Sequence, residues 1–262
     1  MKAADRHRAI LELVLARGAN VEQLSAILGV SEATIRRDLA VLARERRLVR
    51  TYGGAAVLVG AREPEAPLEE RKAAQYEQKE AIARAAVRHV ADGQTVLLDG
   101  GTTCAALARQ LAARRDLHVV TNNLLVVEAL ANVPSLRLTL IGGDLRSSSM
   151  STLGPLAELT LSRLSVDSAF LSADGVVAGL GLCEASAEQA WLKDRILSRA
   201  AQVIVLADST KLGRALQQHW TPLLRAWRLI TSSLANESGL APFRALSEVT
   251  LEIAPCTMEQ GP

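Results

Sequence analysis

Apolar residues recur along this chain in two periods, and the change between them divides it. Toward the N-terminus the period is helical. Ile10, Leu11, Val14 and Leu15 share one side of a helix expected over Arg6–Ala16. Leu24, Ile27 and Leu28 mark a short helix over Val21–Leu28, and Ile35, Leu39 and Leu42 a third over Ser31–Leu42. Asn20 and Ser31 stand where N-caps belong, each with a side-chain oxygen able to accept a first-turn N–H. After Val57 the pattern breaks at Gly60, Pro64 and Pro67, and a helix is expected over Leu68–Val90. Short apolar runs then alternate with helical stretches. Strands are expected at Thr95–Leu98, Leu117–Val120, Leu136–Ile141, Ser168–Leu171, Val203–Leu206, Leu229–Thr231 and Val249–Ile253. Helices are expected at Cys104–Ala113, Leu124–Ala131, Gly154–Leu164 and Ala187–Ala200. Such alternation predicts a mainly parallel sheet covered by helices, an α/β body.

Two helices joined by Gly29-Val30, the second with a basic outer side, form the helix-turn-helix pattern. Arg47-Leu48-Val49-Arg50-Thr51, the turn Tyr52-Gly53-Gly54 and Ala55-Ala56-Val57 add a hairpin, a wing. Opposite the buried stripe of the second helix lie Ala33, Arg36, Arg37 and Ala40. Two guanidiniums among small residues let a backbone approach something grooved and anionic, and their forks suit phosphate oxygens and guanine edges. An ordinary amphipathic surface helix shows the same stripe, so the wing and the turn carry the distinction. Ala33, Thr34, Arg36 and Arg37 are the candidate DNA-reading face, with Ser31 and Arg50 on phosphates. The expected units are a winged head over residues 1–57, a linking stretch over 58–75 and the body over 76–262.

Thr34-Ile35-Arg36-Arg37-Asp38-Leu39, followed by Arg50-Thr51-Tyr52-Gly53-Gly54-Ala55, resembles the DeoR family of bacterial sugar-responsive repressors. The likeness continues through the body, whose fold the resemblance implies to be similar to ribose-5-phosphate isomerase.

Charge fits a head that meets a polyanion. Residues 1–57 hold ten Lys/Arg against six Asp/Glu, while the whole chain of 262 residues nets only +2, which leaves the remainder at −2. With 49% hydrophobic and 22% charged residues the chain can bury a real core, and general disorder is excluded. The three cysteines, Cys104, Cys183 and Cys256, are isolated, and neither a disulfide framework nor a metal site is indicated. The N-terminus has no signal-like apolar core, and no apolar run reaches the roughly 18 residues of a membrane span. The expectation is a soluble cytoplasmic protein without a cofactor and without membrane contact.

In open α/β sheets ligands bind beyond the carboxyl ends of the strands. Here those ends are polar and glycine-rich. Asp99-Gly100-Gly101-Thr102-Thr103 runs straight into a helix, an anion nest with two hydroxyls. It lacks the lysine of a P-loop and the spacing of a dinucleotide fingerprint, which leaves a small phosphate ester. Thr121-Asn122, Gly142-Gly143, Asp174-Gly175 and Asp208-Ser209-Thr210-Lys211 end other strands. Amides and carboxylates suit sugar hydroxyls, and Lys211 suits a phosphate. The resemblance matches Asp99, Gly101, Thr102 and Thr103 to the family's D-x-G-[TS]-T motif, Asn122 to its TN motif, and Asp208 and Lys211 to its D-S-x-K motif. It implies a phosphorylated sugar that relieves repression. Asn123 and Ser172 depart from the family, which more often has Ser and Gly there. The candidate effector residues are Asp99, Gly101, Thr102, Thr103, Asn122, Gly143, Asp174 and Lys211.

Two other readings stand beside a DNA-binding repressor. One is a sugar-phosphate isomerase, although Asp174-Gly175-Val176-Val177 puts a valine where the isomerases' D-G-A-D has its second carboxylate; Glu184 remains a possible base. The other is a DNA-binding protein whose body only oligomerises. His7, His89, His118 and His219 lie away from the motifs. A homo-oligomer is expected, because one short reading helix covers few base pairs, with Trp220 and Trp227 offered for the contact.

Overall fold

The computed structural model describes residues 5–7, 9–10, 13–14, 20–44, 48–51, 54–57 and 64–256. In the head, the described residues of the stretch 5–14 are helical. Then come α1 (Val21–Leu28), α2 (Glu32–Arg44), and the strands β1 (Leu48–Thr51) and β2 (Gly54–Val57). Asn20 accepts from Gln23 N at 2.8 Å while the Gln23 side chain accepts from Asn20 N, a reciprocal capping box. Gly29 ends α1 at φ +64°, the left-handed turn that redirects the chain into Ser31. Ile10, Val14, Leu24, Ile35, Leu39 and Leu42 make the head's core, as their spacing requires; Ile27, expected with them, is 52% exposed. β1 and β2 pair antiparallel with Arg50 opposite Ala55, the wing; its turn residues 52–53 and the linking residues 58–63 lie outside the described residues.

The body opens with α3 (Leu68–Ala73) and α4 (Tyr76–Ala86), where one continuous helix was expected. Ala74 turns extended and Gln75 adopts φ +55°, which breaks the helix. The carbonyls of Arg71 and Ala74, freed by the break, both accept from the Lys79 ammonium.

The remaining elements alternate. They are β3 (Thr95–Leu98), α5 (Thr102–Leu111), β4 (Leu117–Thr121), α6 (Leu124–Leu130), β5 (Leu136–Leu140), β6 (Asp144–Arg146), β7 (Ser151–Leu153), α7 (Pro155–Leu161) and β8 (Val166–Leu171). Then follow β9 (Gly175–Val177), β10 (Gly181–Glu184), α8 (Ala187–Arg199), β11 (Ala200–Leu206), β12 (His219–Thr221), β13 (Trp227–Ser232), α9 (Glu237–Arg244) and β14 (Val249–Ala254). Seven strands form one parallel sheet in the order β14-β13-β11-β8-β3-β4-β5. The hairpin β6–β7, the small sheet β12-β10-β9 and α9 had no counterpart in the sequence reading. The strands are too short to establish a period of their own, and α9, no shorter than α1, carries Gly239 and Pro242 inside it, which read as a turn.

Side-chain alternation buries the sheet on both faces. Val96, Leu98, Val119, Phe170, Ile204 and Ile230 face α4–α6, while Leu97, Val120, Ala169, Leu171, Val205 and Leu229 face α7–α9. A sheet covered on both sides reads as uninterrupted apolar strands, which is how the central strands read, while the edge strands β5 and β14 alternate apolar and polar residues. From β3 the chain runs outward one way through β4 and β5, then returns to β8 and runs the other way. The reversal lies between β3 and β8, so the loops after these two strands border the sheet's switch point.

Candidate functional site

Two sites emerge, one in each part. In the head, Ser31 caps α2: its hydroxyl accepts from Thr34 N at 3.3 Å and pairs with the Thr34 hydroxyl at 2.9 Å. Ser31, Ala33, Arg36 and Arg37 are exposed and Thr34 half-buried, all on the side away from the core. Arg36 leans on Glu32 one turn earlier at 2.7 Å. The Arg37 side chain makes no hydrogen bond or ion pair with another described residue. Arg50 is placed on β1, opposite Ala55. Asp38, between the arginines and the core, is buried and takes Arg6 (Nη2 at 3.1 Å) and His7 (3.1 Å). Burial pushes its carboxyl up, but the hydrogen bonds and charges of Arg6 and His7 outweigh this and leave it lowered. Asp38 thus ties the first helical stretch to α2.

In the body, a cavity of about 260 Å³ opens at the switch point. It is lined by Asp99, Gly101, Thr102, Thr103, Asn122, Asp174 and Lys211 from the sequence reading. Gly143 lies outside the lining. A side chain there would meet the Leu153 carbonyl at 2.2 Å, so its place is close packing against β7.

The loop after β3 is built for approach. Gly101 sits at φ +111°, and a Cβ on it would strike the Ser172 hydroxyl at 2.3 Å. Thr102 and Thr103 begin α5, whose first N–H groups and dipole favour an anion. The two family departures brace this loop. Asn123 donates to the carbonyls of Asp99 (3.1 Å) and Gly101 (2.9 Å) while its Oδ1 caps α6, and Ser172 donates to Gly100 O.

Asn122 is buried, with Nδ2 on Thr152 O at 3.3 Å and Oδ1 without a partner among the described residues. Gln189 Oε1 is likewise unpartnered and lines the same cavity. Buried polar atoms are seldom left so, and these two suit the hydroxyls of a ligand. Asp174 accepts from Ala185 N at 3.1 Å, and Asp208 from Thr210 N at 3.0 Å.

Several cavity residues besides Gln189 escaped the sequence reading, and three cations among them bear on the site. Lys193 is the first, buried between Asp99 and Glu184 (3.0 Å). Burial works against its ammonium, but the charges and hydrogen bonds of the two carboxylates outweigh it and its pKa is raised. Glu184 is pushed up to about 8 by burial, helped by Asp174 and Asp99 and opposed by Lys193. Lys79 is the second, lowered to about 8 by burial, with Asp208 opposing and Lys211 and Arg71 adding to the fall. A signal existed for both: Lys193 stands at helical spacing between Ala190 and Ile196, and Lys79 three residues before Ile82, each a charge on a buried stripe. Arg71, the third, had none. Trp227, offered as a subunit contact, is buried edge-on against Phe243 at 6.2 Å; Trp191 is the exposed tryptophan, at 57%.

Among the described residues, no helix is long and apolar enough to cross a membrane. Residues 6–59 match the family profile of the DeoR-like helix-turn-helix domain, and residues 74–233 that of the DeoR C terminal sensor domain. The chain is 37% identical over 243 residues to the uncharacterized HTH-type transcriptional regulator YulB of Bacillus subtilis (strain 168), covering 92% of each chain. It is 35% identical over 215 residues to the glycerol-3-phosphate regulon repressor of Escherichia coli (strain K12), covering 82% of this chain and 84% of that one. Among solved structures, ribose 5-phosphate isomerase A of Methanocaldococcus jannaschii matches 51% of this chain and 52% of its own at 21% identity, with a TM-score of 0.38.

Proposed function

The chain belongs to the DeoR family of transcriptional regulators, and from that premise we propose that it represses a sugar or polyol catabolic operon until a phosphorylated sugar releases it. The observation that carries this reading is the cavity at the switch point. It joins a helix N-terminus and the cations Arg71, Lys79 and Lys211 to unpartnered amide oxygens on Asn122 and Gln189. The ester phosphate takes the Gly101–Thr103 loop and Lys211, and Asp99, Asn122 and Asp174 take hydroxyls. The chain is a regulator and not an enzyme: its matched relatives are named as regulators and repressors.

The head, residues 1–57, meets double-stranded operator DNA through Ser31, Ala33, Thr34, Arg36, Arg37 and Arg50, in the cytoplasm. The body, residues 76–262, senses the effector, and residues 58–75 join the two. A second copy supplies the second reading helix. Exposed Trp191 on α8, with Leu156 and Leu159 on the adjoining α7, offers apolar area for that contact in place of Trp227. A monomeric mass at micromolar concentration, with and without DNA, would overturn the pairing.

The deciding experiment titrates the protein onto its operator while a panel of sugar and polyol phosphates is added, with melting followed in parallel. A ligand held only by the folded state raises the melting temperature. The expected result is one class of phosphate ester that both stabilises the protein and weakens the complex. Stabilisation without any change in DNA affinity would refute the repressor reading.

A further inference from the structure

One wall of the cavity comes from the stretch through which the chain enters the body. Pro64, Glu65, Ala66 and Arg71 all line it. Glu65 is half-buried there, with its side chain 9% exposed, and is held by two arginines. Its Oε1 faces Arg71 Nη1 at 2.9 Å, and its Oε2 takes Arg146 and, at 3.2 Å, the Ser148 hydroxyl. Burial pushes the carboxyl up, but Arg146, Arg71 and Ser148 outweigh it and hold it lowered. Arg71 also donates Nε to Ala66 O at 3.1 Å and Nη2 to Ser148 O. A single guanidinium therefore pins residues 65–66 to the turn of the β6–β7 hairpin.

The knot is incompletely bonded. Glu65 Oε1 and Arg146 Nη1 are buried and make no directed hydrogen bond among the described residues, so the 2.9 Å contact of Oε1 with Arg71 is an ion pair of poor geometry. The same arginine borders the anion loop, because Thr102 Oγ1 lies 3.5 Å from the Arg71 carbonyl.

We infer that Arg71 is a ligand-binding residue which exchanges Glu65 for the phosphate of the effector, and that this exchange unfastens residues 64–67, the entry to the body from the DNA-binding head. The inference rests on the reading of the cavity as a phosphate-ester site. A phosphate dianion outcompetes this carboxylate for the guanidinium fork, because it carries more charge and can accept two parallel N–H groups where Glu65 makes one poorly aligned contact. Once Arg71 turns inward, Glu65 keeps only Arg146 and Ser148, and Ala66 loses its donor. Each state of the linking segment then favours one ligand, DNA or effector, and linkage makes the coupling reciprocal.

The test compares wild type with Glu65→Gln and with Arg71→Lys, using glycerol 3-phosphate, fructose 6-phosphate and inorganic phosphate as probes. Melting temperature reads binding, and operator titration reads release. Glu65→Gln removes the competitor. It is expected to bind the stabilising probe more tightly and to hold operator more weakly when no probe is present, both by a factor within the usual coupling range of about 5–150. Arg71→Lys keeps the charge and loses the fork. It is expected to melt within a few degrees of wild type and to need roughly tenfold more probe for release. If no probe stabilises wild type, the phosphate-ester reading falls. If wild type is stabilised but Glu65→Gln matches it in both affinities, or Arg71→Lys releases at the wild-type probe concentration, the exchange is wrong and the cavity reading stands.

Discussion

The reading helix of the head and the cavity of the body both depend on charged side chains, but they hold them in opposite ways. On α2 the Arg36–Glu32 pair stands in water, its side chains 61% and 47% exposed. An exposed pair at this spacing stabilises by only about 0.3–0.5 kcal/mol. In the body Lys193 and Asp99 are 4% and 3% exposed, and losing one partner of a buried pair costs roughly 3–5 kcal/mol. Arg36 is thus held only by a weak pair in water, and the Arg37 side chain pairs with no other described residue, which leaves both guanidiniums available to an outside anion. The body's floor charges are already paired with one another, so Asp99 can offer a hydroxyl only the lone pairs that Lys193 leaves free, and the rest of recognition falls to Asp174, the rim cations, the α5 N-terminus and the unpartnered oxygens of Asn122 and Gln189.

The sharpest way to break this contrast is Lys193→Met. It leaves Asp99 and Glu184 buried without their cation, and the expected loss is about 3–5 kcal/mol of body stability, read by denaturant unfolding. Wild-type stability in this variant would mean that the triad is hydrated and that the two regions differ less than their geometry says. Thr102→Asp comes next. A carboxylate at the start of α5 suits the helix dipole but repels a phosphate, by about 4 kcal/mol at 4 Å in a near-surface dielectric. The variant should keep its melting temperature and lose the effector-induced rise; an undiminished rise would move the phosphate away from this loop.

In the head the expected losses are in binding alone. Arg37→Ala should weaken operator binding by about 1–3 kcal/mol if it reads a base, or flatten the salt dependence if it meets a phosphate, with no change in melting temperature. A stability loss without a binding loss would show that Arg37 belongs to the fold.

The smallest effect is in pH. Lys79 is charged below about 8, beside Asp208, Lys211 and Arg71. Phosphate-ester affinity should therefore be fullest at neutral pH and decline severalfold as pH rises from 7 to 9. For the free protein the sign is reversed, since this depressed lysine binds fewer protons folded than unfolded between about 8 and 10.4. There its contribution to stability grows with pH. Glu184 works the other way: raised to about 8, it keeps a proton in the folded state that the unfolded chain has lost above its ordinary value. That contribution is complete below the ordinary carboxyl range and is lost as pH rises through about 8. Titrating melting temperature and probe affinity together, in wild type and in Lys79→Met, separates these effects.

What the sequence determined by itself was everything carried by local repetition. The spacing of Ile35, Leu39 and Leu42 fixes which side of α2 is buried, and hence that Arg36 and Arg37 face outward. The apolar runs fix the seven parallel strands, and the polar strand ends fix where a ligand can approach. Seven of the eight residues marked for the effector accordingly line one cavity. Only the tertiary structure could set Gly143 against Leu153, bring Lys193 from the middle of α8 to Asp99 across 94 positions of sequence, or close Arg71 and Arg146 on Glu65. The physical reason is range. A period reports which way a side chain points within its own element. Whether a buried charge meets its partner depends on strand order and on the packing of helices far apart in the chain, and no period in the sequence records those.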